Sequence, residues 1–433
     1  MEEIIRHLQG KVDGFEILID EVVTTTSEFR GDEPYSLDTR LTKGLGLRVI
    51  KDGRLGLVAT TDFRRIPELV DTLLAIAEYG ERAYFSFPKE IPQTRCRLRN
   101  EMVANLSSED IFRLGKEVIT CAKAEFPEFK IDLTLTHSNS QRRIINSSGL
   151  DLTYQKVYYS LNFSGLLVDE DGLTWIYDYQ NLSSGETFSV WEFVNRQVER
   201  AKDAKKKVRV MTKEYPVIFA PGFGLVEFFF PLLQGVNGKN LQKGITPLLG
   251  KEGKEIASPL LSVYDDGLID YGLSSSPFDG EGVAKRQTPL IERGVFKNFL
   301  FDLQTAGQCG RRSTGNAVRS YQTSPQPGIN NLLVLPQNGS LKEAIAKIKE
   351  GILVYELVGG GQSNVLAGDF SVGLSLGFKI EGGEIKGKVK DCMIAGNFYE
   401  LIKRISKVGG EVKDLGSYYL PFIQFEDVKV VGK

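Results

Sequence analysis

From Val217 to Val236 the chain is almost wholly apolar, over about the twenty residues that a bilayer requires. A segment of this kind either crosses a membrane or lies at the centre of a folded core. Pro221, Gly222, Gly224, Glu227 and Pro231 interrupt it, no aromatic or basic anchors flank it, and it has no counterpart elsewhere in the chain. These features favour a strand over Tyr215 to Ala220, broken by Pro221-Gly222, followed by a buried helix over Leu225 to Gly238. No membrane association is expected.

With 433 residues the chain exceeds what one hydrophobic core usually organises, so two domains are expected. Phe15 to Arg30 alternates as a strand does, and Gly44 to Thr61 reads as two strands joined at Asp52-Gly53, a strong hairpin signal. Ile66 to Tyr79 and Ile111 to Ala124 have helical periodicity, the second capped by Ser107 or Ser108. Strands follow at Lys130 to Thr136, Arg142 to Asn146, Asp151 to Leu166 and Leu173 to Tyr179, and then a helix over Phe188 to Lys207. The run Lys205-Lys206-Lys207 reads as a solvated helix end.

We place the domain boundary near Met211, giving an N-terminal α+β domain at 1–210 and a C-terminal domain at 211–433 dominated by a twisted antiparallel sheet. Strands in the second half are expected at Leu260 to Tyr264, Gly294 to Phe301, Leu332 to Leu335, Ile352 to Val358, Ser371 to Ile380 and Glu384 to Ile394. Ser340 and Glu343 form a capping box ahead of a short helix, and Glu381-Gly382-Gly383-Glu384 reads as a hairpin turn.

A formal charge of -2, with no acidic tail and no basic face, argues against direct nucleic-acid binding. Cys96, Cys121, Cys309 and Cys392 lie far apart and read as buried thiols in a reducing cytosol. The N-terminal MEEIIRHLQG is acidic and amphipathic, unlike a signal peptide, so a cytoplasmic location is expected.

Candidate chemistry is sparse. The two histidines, His7 and His137, lack a ligand partner at helical spacing, so surface or turn roles are expected and serine–histidine catalysis has little support. Asp265, Asp266, Asp270, Asp279 and Glu281 are the oxygen ligands that Mg²⁺ or Ca²⁺ prefers, but Asp265-Asp266-Gly267 and Phe278-Asp279-Gly280 are also ordinary turn sequences. Gly359-Gly360-Gly361-Gln362-Ser363-Asn364 lacks the features of a phosphate loop and reads as a place where another backbone, such as a bound extended peptide, comes close.

Several segments, taken in order, resemble the TldD/PmbA family, once called modulators of DNA gyrase. They are Phe278-Asp279-Gly280-Glu281-Gly282-Val283, Leu290-Ile291-Glu292-Arg293-Gly294-Val295, Ser313-Thr314-Gly315-Asn316, Gly351-Ile352-Leu353-Val354, Gly368-Asp369-Phe370-Ser371, Ile380-Glu381-Gly382-Gly383-Glu384-Ile385 and Ile394-Ala395-Gly396-Asn397. Gly44 to Thr61 and Asn146 to Ser160 extend the likeness into the first half.

The resemblance implies a two-domain α+β fold and a heteromeric protease. In the TldD-like branch, HExxxH on a helix and a cysteine near the C-terminus bind zinc, with the glutamate activating its water. Laid on that pattern, Phe229-Phe230-Pro231-Leu232-Leu233-Gln234 takes the motif's place and Leu415 takes the cysteine's. Phe229, Phe230, Gln234 and Leu415 cannot serve as zinc ligands or base, so the chain is similar to the PmbA/TldE branch. The resemblance therefore implies a subunit inactive alone, without cofactor of its own, that pairs with a zinc-bearing TldD-like subunit acting on unstructured peptides.

Gly359 to Asn364, with Gly368, Asp369 and Ser371, are the candidate peptide channel. A homodimer in the partner's absence is possible on this reading. Two alternatives stand beside it: an independent metal-dependent hydrolase using Asp265 to Glu281, and a non-enzymatic modulator that binds gyrase or another protein.

Overall fold

The computed structural model describes residues 2–170, 172–360 and 364–432. Six strands form the first sheet: β1 (Gly14–Arg30), β2 (Glu33–Lys51), β3 (Arg54–Thr60), β4 (Lys130–Asn146), β5 (Asp151–Asp169) and β6 (Gly172–Asn181). Their order is β3-β2-β1-β4-β5-β6 and every pairing is antiparallel. Asp52 and Gly53 both adopt positive φ, 50° and 70°, as a two-residue hairpin loop of this hand requires.

The two strands expected at Lys130 to Thr136 and Arg142 to Asn146 are one. The polar run His137 to Gln141 continues the ladder because β1 and β5 bond it from both sides, whatever its side chains. His137 is therefore not a turn or surface residue. It is buried in mid-strand, its Nε2 lies 2.8 Å from the Val103 carbonyl, and burial lowers its pKa.

Alternation along these strands divides the side chains between two faces. Ile17, Leu45, Leu47 and Val49 pack beneath helices Glu2–Leu8 and Ile66–Ala77. Further along the sheet, Phe29, Leu133, Leu135 and Val157 pack with helices Ser108–Glu125 and Val190–Lys205. Ser107 caps the first of these through a reciprocal bond pair with Asp110. The same core takes in Ile218, Leu353, Leu376 and Phe378, so the two halves of the chain share hydrophobic packing.

In the second half, strands Lys213–Phe219, Glu350–Val358, Asp369–Glu381, Met393–Asn397 and Ile423–Val431 pair in a cycle that closes on itself. The Glu350–Val358 and Lys213–Phe219 pair is parallel and the other four are antiparallel. Lys207–Val208 joins this sheet through a parallel pair with Lys388-Val389. The strand expected over Glu384 to Ile394 is divided into Glu384–Val389 and Met393–Asn397, with Asp391 at φ 48° between them. Those expected at Leu260 to Tyr264 and Gly294 to Phe301 shorten to Val263–Asp266 and Val295–Phe296.

The helix expected over Leu225 to Gly238 is instead three short turns, Phe223–Phe228, Phe230–Gly235 and Gly238–Gln242. Pro231 has no N–H to continue the first turn and is tolerated only at the start of the next. Among the described residues no helix is long and apolar enough to cross a membrane. The four cysteines are free, and only Cys392 is fully buried, the other three being half-buried.

The opposite face of the first sheet carries Glu16, Leu18, Asp20, Arg48, Arg142 and Ile144, and loops from the second half cover it. Arg48 Nη1 donates to Glu281 Oε1 at 2.6 Å and Nη2 to Glu16 Oε2 at 3.3 Å. Arg319 donates to the other oxygen of Glu16, and the Leu303 amide donates to Glu281 Oε2 at 2.7 Å. All four charged side chains are buried. Removing one charge from such a cluster strands the others in low dielectric. Arg48→Met is expected to cost about 3–5 kcal/mol in urea unfolding at neutral pH, whereas a cost below about 1 kcal/mol would mean that water already reaches the cluster.

Candidate functional site

The broken helical segment and the glycine-rich turn meet at a cavity of about 460 Å³. Glu227, Phe228, Phe230 and Pro231 form one wall, and Leu357, Val358, Gly359 and Gly360 form another. Val365, Asp369, Phe370, Val372 and Ile394 complete it. The lining is mainly apolar with a carboxylate on each of two sides, the character of a ligand pocket more than of a charged active centre.

The aromatic wall follows from local packing. Phe228 is buried with ring centroids 4.9 Å from Phe425, 5.0 Å from Phe398 and 5.2 Å from Phe219. Phe229, fully buried, packs on Phe398 with centroids 6.0 Å apart. Tyr399 donates its hydroxyl to the Pro231 carbonyl at 3.0 Å, fastening the second turn to the short helix Phe398–Leu401.

The four positions laid on the zinc pattern therefore part company. Phe229 sits in the core, Phe230 lines the cavity and Gln234 is exposed on the far side of the turn. Leu415 is buried in the same core as Phe229 but does not line the cavity. Among the described residues no three of His, Cys, Asp and Glu come together in a group able to hold a metal ion.

The candidate channel residues are sorted similarly. Gly359, Gly360 and Asp369 line the cavity. Gly359 has φ 89°, a conformation that excludes most side chains, although the space beside it is open. A Cβ on Gly360 would stand 3.0 Å from the Glu227 carboxylate, so the two walls approach closely there.

Gly368, at φ 84°, closes the turn from Asn364 and bonds its carbonyl to the Phe398 amide at 2.7 Å. Asn364 Oδ1 accepts the Ala367 amide in that turn, so these two shape the wall without lining it. Ser371 is exposed and off the cavity, and Gly361, Gln362 and Ser363 lie outside the described residues.

The carboxylate stretch does not converge on a cation. Asp265 is bonded by the side chains of Asn316 and Asn330 and by the Asn330 amide. Asp279 accepts the amides of Glu281, Val283 and Ala317, as a turn aspartate does. Glu281 is held by Arg48, while Asp266 and Asp270 face other partners, Gln287 and Arg97. Each of these carboxylates thus has bonding partners of its own within the fold.

Of two glutamates that periodicity and motifs overlooked, Glu227 lines the cavity and Glu356 adjoins it in sequence without lining it. Glu227 is half-buried and its pKa is raised by burial. Glu356, next to the lining residue Leu357, is buried and pushed up to about 8, with the Arg200 and Lys413 charges only partly opposing burial. Arg200 lies over the Tyr355 ring at 4.5 Å and pairs with Asp178 at 3.6 Å, joining this strand to β6. Only the unusual glutamate within an apolar segment could have marked Glu227 in the sequence.

Residues 212–432 match the family model described as the PmbA/TldA metallopeptidase C-terminal domain, and residues 15–77 match the model of domain 1. The chain belongs to the PmbA/TldD family. Similar relatives include an uncharacterised protein of Methanocaldococcus jannaschii, 28% identical over 422 residues, covering 96% of this chain and 97% of the relative. Metalloprotease PmbA of Escherichia coli O157:H7 is 25% identical over 441 residues, covering 98% and 93%. The crystal structure of TldE from Thermococcus kodakarensis superposes with a TM-score of 0.92 at 27% identity, covering 100% of both chains.

As a PmbA/TldD member, the protein keeps the family fold while its cavity is walled by aromatic and aliphatic groups. Because Glu356 binds its proton more tightly when folded than at its usual 4.5, its contribution to stability is complete below about 4.5 and is lost as pH rises towards about 8. Glu356→Gln should flatten stability against pH across that window, removing a slope of up to about 1.4 kcal/mol per pH unit. Unfolding curves for the two proteins that stay parallel from pH 5 to pH 8 would rule this out.

Proposed function

We propose that this chain is the zinc-ligand-free subunit of a TldD-type metalloprotease, and that it shapes a chamber in which an unstructured peptide lies extended. One observation carries the reading: at the positions of the HExxxH pattern, Phe229 is locked in the core and Phe230 forms a cavity wall. Neither side chain can bind zinc or activate water. The ion and its general base then have to come from a TldD-like partner, and this chain contributes surface and backbone.

The strand Glu350–Val358 offers a means of holding a peptide. Its register with Lys213–Phe219 ends at Val354, and its pairing with Asp369–Glu381 is irregular around Glu356. Irregular pairing of this kind commonly redirects a strand beside a functional site. Leu357 to Gly359 then offer main-chain groups along the cavity, and strand addition would bind an extended peptide with little regard to its sequence.

The name of the E. coli relative fits a proteolytic assembly. The near-neutral charge gives the DNA-binding alternative no support. Purified alone, the protein should carry no stoichiometric zinc and leave a casein-derived peptide mixture intact. With an HExxxH-bearing TldD-like subunit, cleavage should appear, and Val358→Asp should reduce it by about tenfold or more by placing a charge in the apolar wall. Zinc-dependent cleavage by the isolated chain would sink the proposal.

A further inference from the structure

A second cavity, of about 220 Å³, lies where β4 and β5 meet loops of the second half and shares no lining residue with the first. Its walls include four cationic side chains, Arg142, Lys156, Lys285 and Arg319, against one carboxylate, Asp279. Exposed Leu273 and Val318 also stand in its walls, so it opens to solvent.

The one anion is already satisfied, since Asp279 accepts three backbone amides at 2.9, 3.0 and 3.0 Å. The two lysines, by contrast, are bonded only by carbonyl groups. Among the described residues neither Lys156 nor Lys285 has a carboxylate within ion-pairing distance, although each is less than a tenth exposed. Lys156 spends its ammonium on the carbonyls of Gly272, Leu273 and Ser275, at 2.7, 2.6 and 3.0 Å.

Lys285 makes one such bond, to the Ser274 carbonyl at 2.7 Å, and has two N–H groups to spare. Arg319 gives one Nη to Glu16, but its buried Nε finds no acceptor. Arg142 commits Nε and Nη2 to Asp20, at 2.7 and 2.8 Å.

Buried ammonium groups without counter-ions are costly, and such groups normally lose their proton or acquire a partner. Burial, with repulsion from Lys285, brings Lys156 down to about 7, and burial brings Lys285 down to about 8 against the attraction of Asp279 and Asp265. A bound anion would relieve both groups further, since no carboxylate bonds either ammonium directly. The volume suits a carboxylate or phosphate with a small substituent, because one water occupies roughly 30 Å³ of liquid.

We propose that this cavity is a binding site for a compact oxyanion, carboxylate or phosphate in size, held by the spare donors of Lys285 and Arg319 in the field of Arg142 and Lys156. A lysine–carbonyl lattice serving only to hold the 272–275 loop would not require the buried, unpartnered guanidinium nitrogen of Arg319, whose side chain belongs to the same cavity wall.

The test uses the full chain and inorganic phosphate as probe, at constant ionic strength set with chloride. Phosphorus-31 resonances should broaden on adding the protein, and acetate should reverse the broadening. Val318→Glu, a change at an exposed wall position, should weaken phosphate binding by about tenfold or more by presenting a built-in carboxylate. Lys285→Arg should keep binding and Lys285→Met should lose it.

Displacement of phosphate by a peptide with a free C-terminus, but not by its amide, would identify a peptide terminus as the source of the oxyanion. Displacement by neither would identify a free small anion. No broadening with the unaltered protein, or broadening untouched by Val318→Glu, would overturn the proposal whether or not the Lys285→Met protein folds.

Discussion

Arg48, buried between Glu16 and Glu281, is the contact on which the arrangement of the two halves rests. The first sheet presents Glu16, Arg48, Asp20 and Arg142 on one face, and only loops with matching charges and amides can cover that face without heavy desolvation cost. Glu281 and Arg319 come from two separate loops of the second half and meet the same guanidinium–carboxylate cluster. Apolar packing alone would tolerate sliding of one half over the other, whereas paired buried charges fix a single register. Further along the sheet, on its other face, helices Ser108–Glu125 and Val190–Lys205 share a core with both sheets, so the anchoring is ionic on one face and hydrophobic on the other.

That anchoring bears on function through the cavities. The larger one lies at the closed ring of strands, where Phe228 and Phe229 pack on Phe219, Phe398 and Phe425. An imidazole at position 229 would have to exchange close aromatic contacts for a buried polar ring needing a partner. The aromatic side chain at this position is therefore held by the core, next to a shaped, largely apolar wall and a length of strand with one edge free. The smaller cavity lies on the interface between halves, where cations outnumber anions.

Much of the architecture was legible because it rests on local rules. Asp52-Gly53 marked a hairpin, Ser107 and Ser340 marked helix starts through reciprocal caps, and Pro221-Gly222 marked the end of a strand. Where tertiary bonding prevailed, the sequence misled: His137 to Gln141 stays extended because two neighbouring strands pair with it. The helix over Leu225 to Gly238 read as continuous because its apolar residues kept the right spacing, but one missing N–H at Pro231 divides it.

Three of the residues that line the cavity, Gly359, Gly360 and Asp369, could be guessed. Glu227 and Glu356 could not, since their importance comes from burial that no local pattern records. The carboxylates from Asp265 to Glu281 were ambiguous between ligands and turns, and their long-range partners, such as Asn316, Asn330 and Arg48, could not be read from local sequence.

The most direct test is a crystal structure of the complex between this chain and an HExxxH-bearing subunit, soaked with an uncleavable extended peptide. The account predicts zinc held by the partner's side chains alone, with the peptide main chain bonded along Leu357 to Gly359 of this chain. Zinc coordinated by side chains of this chain would contradict it.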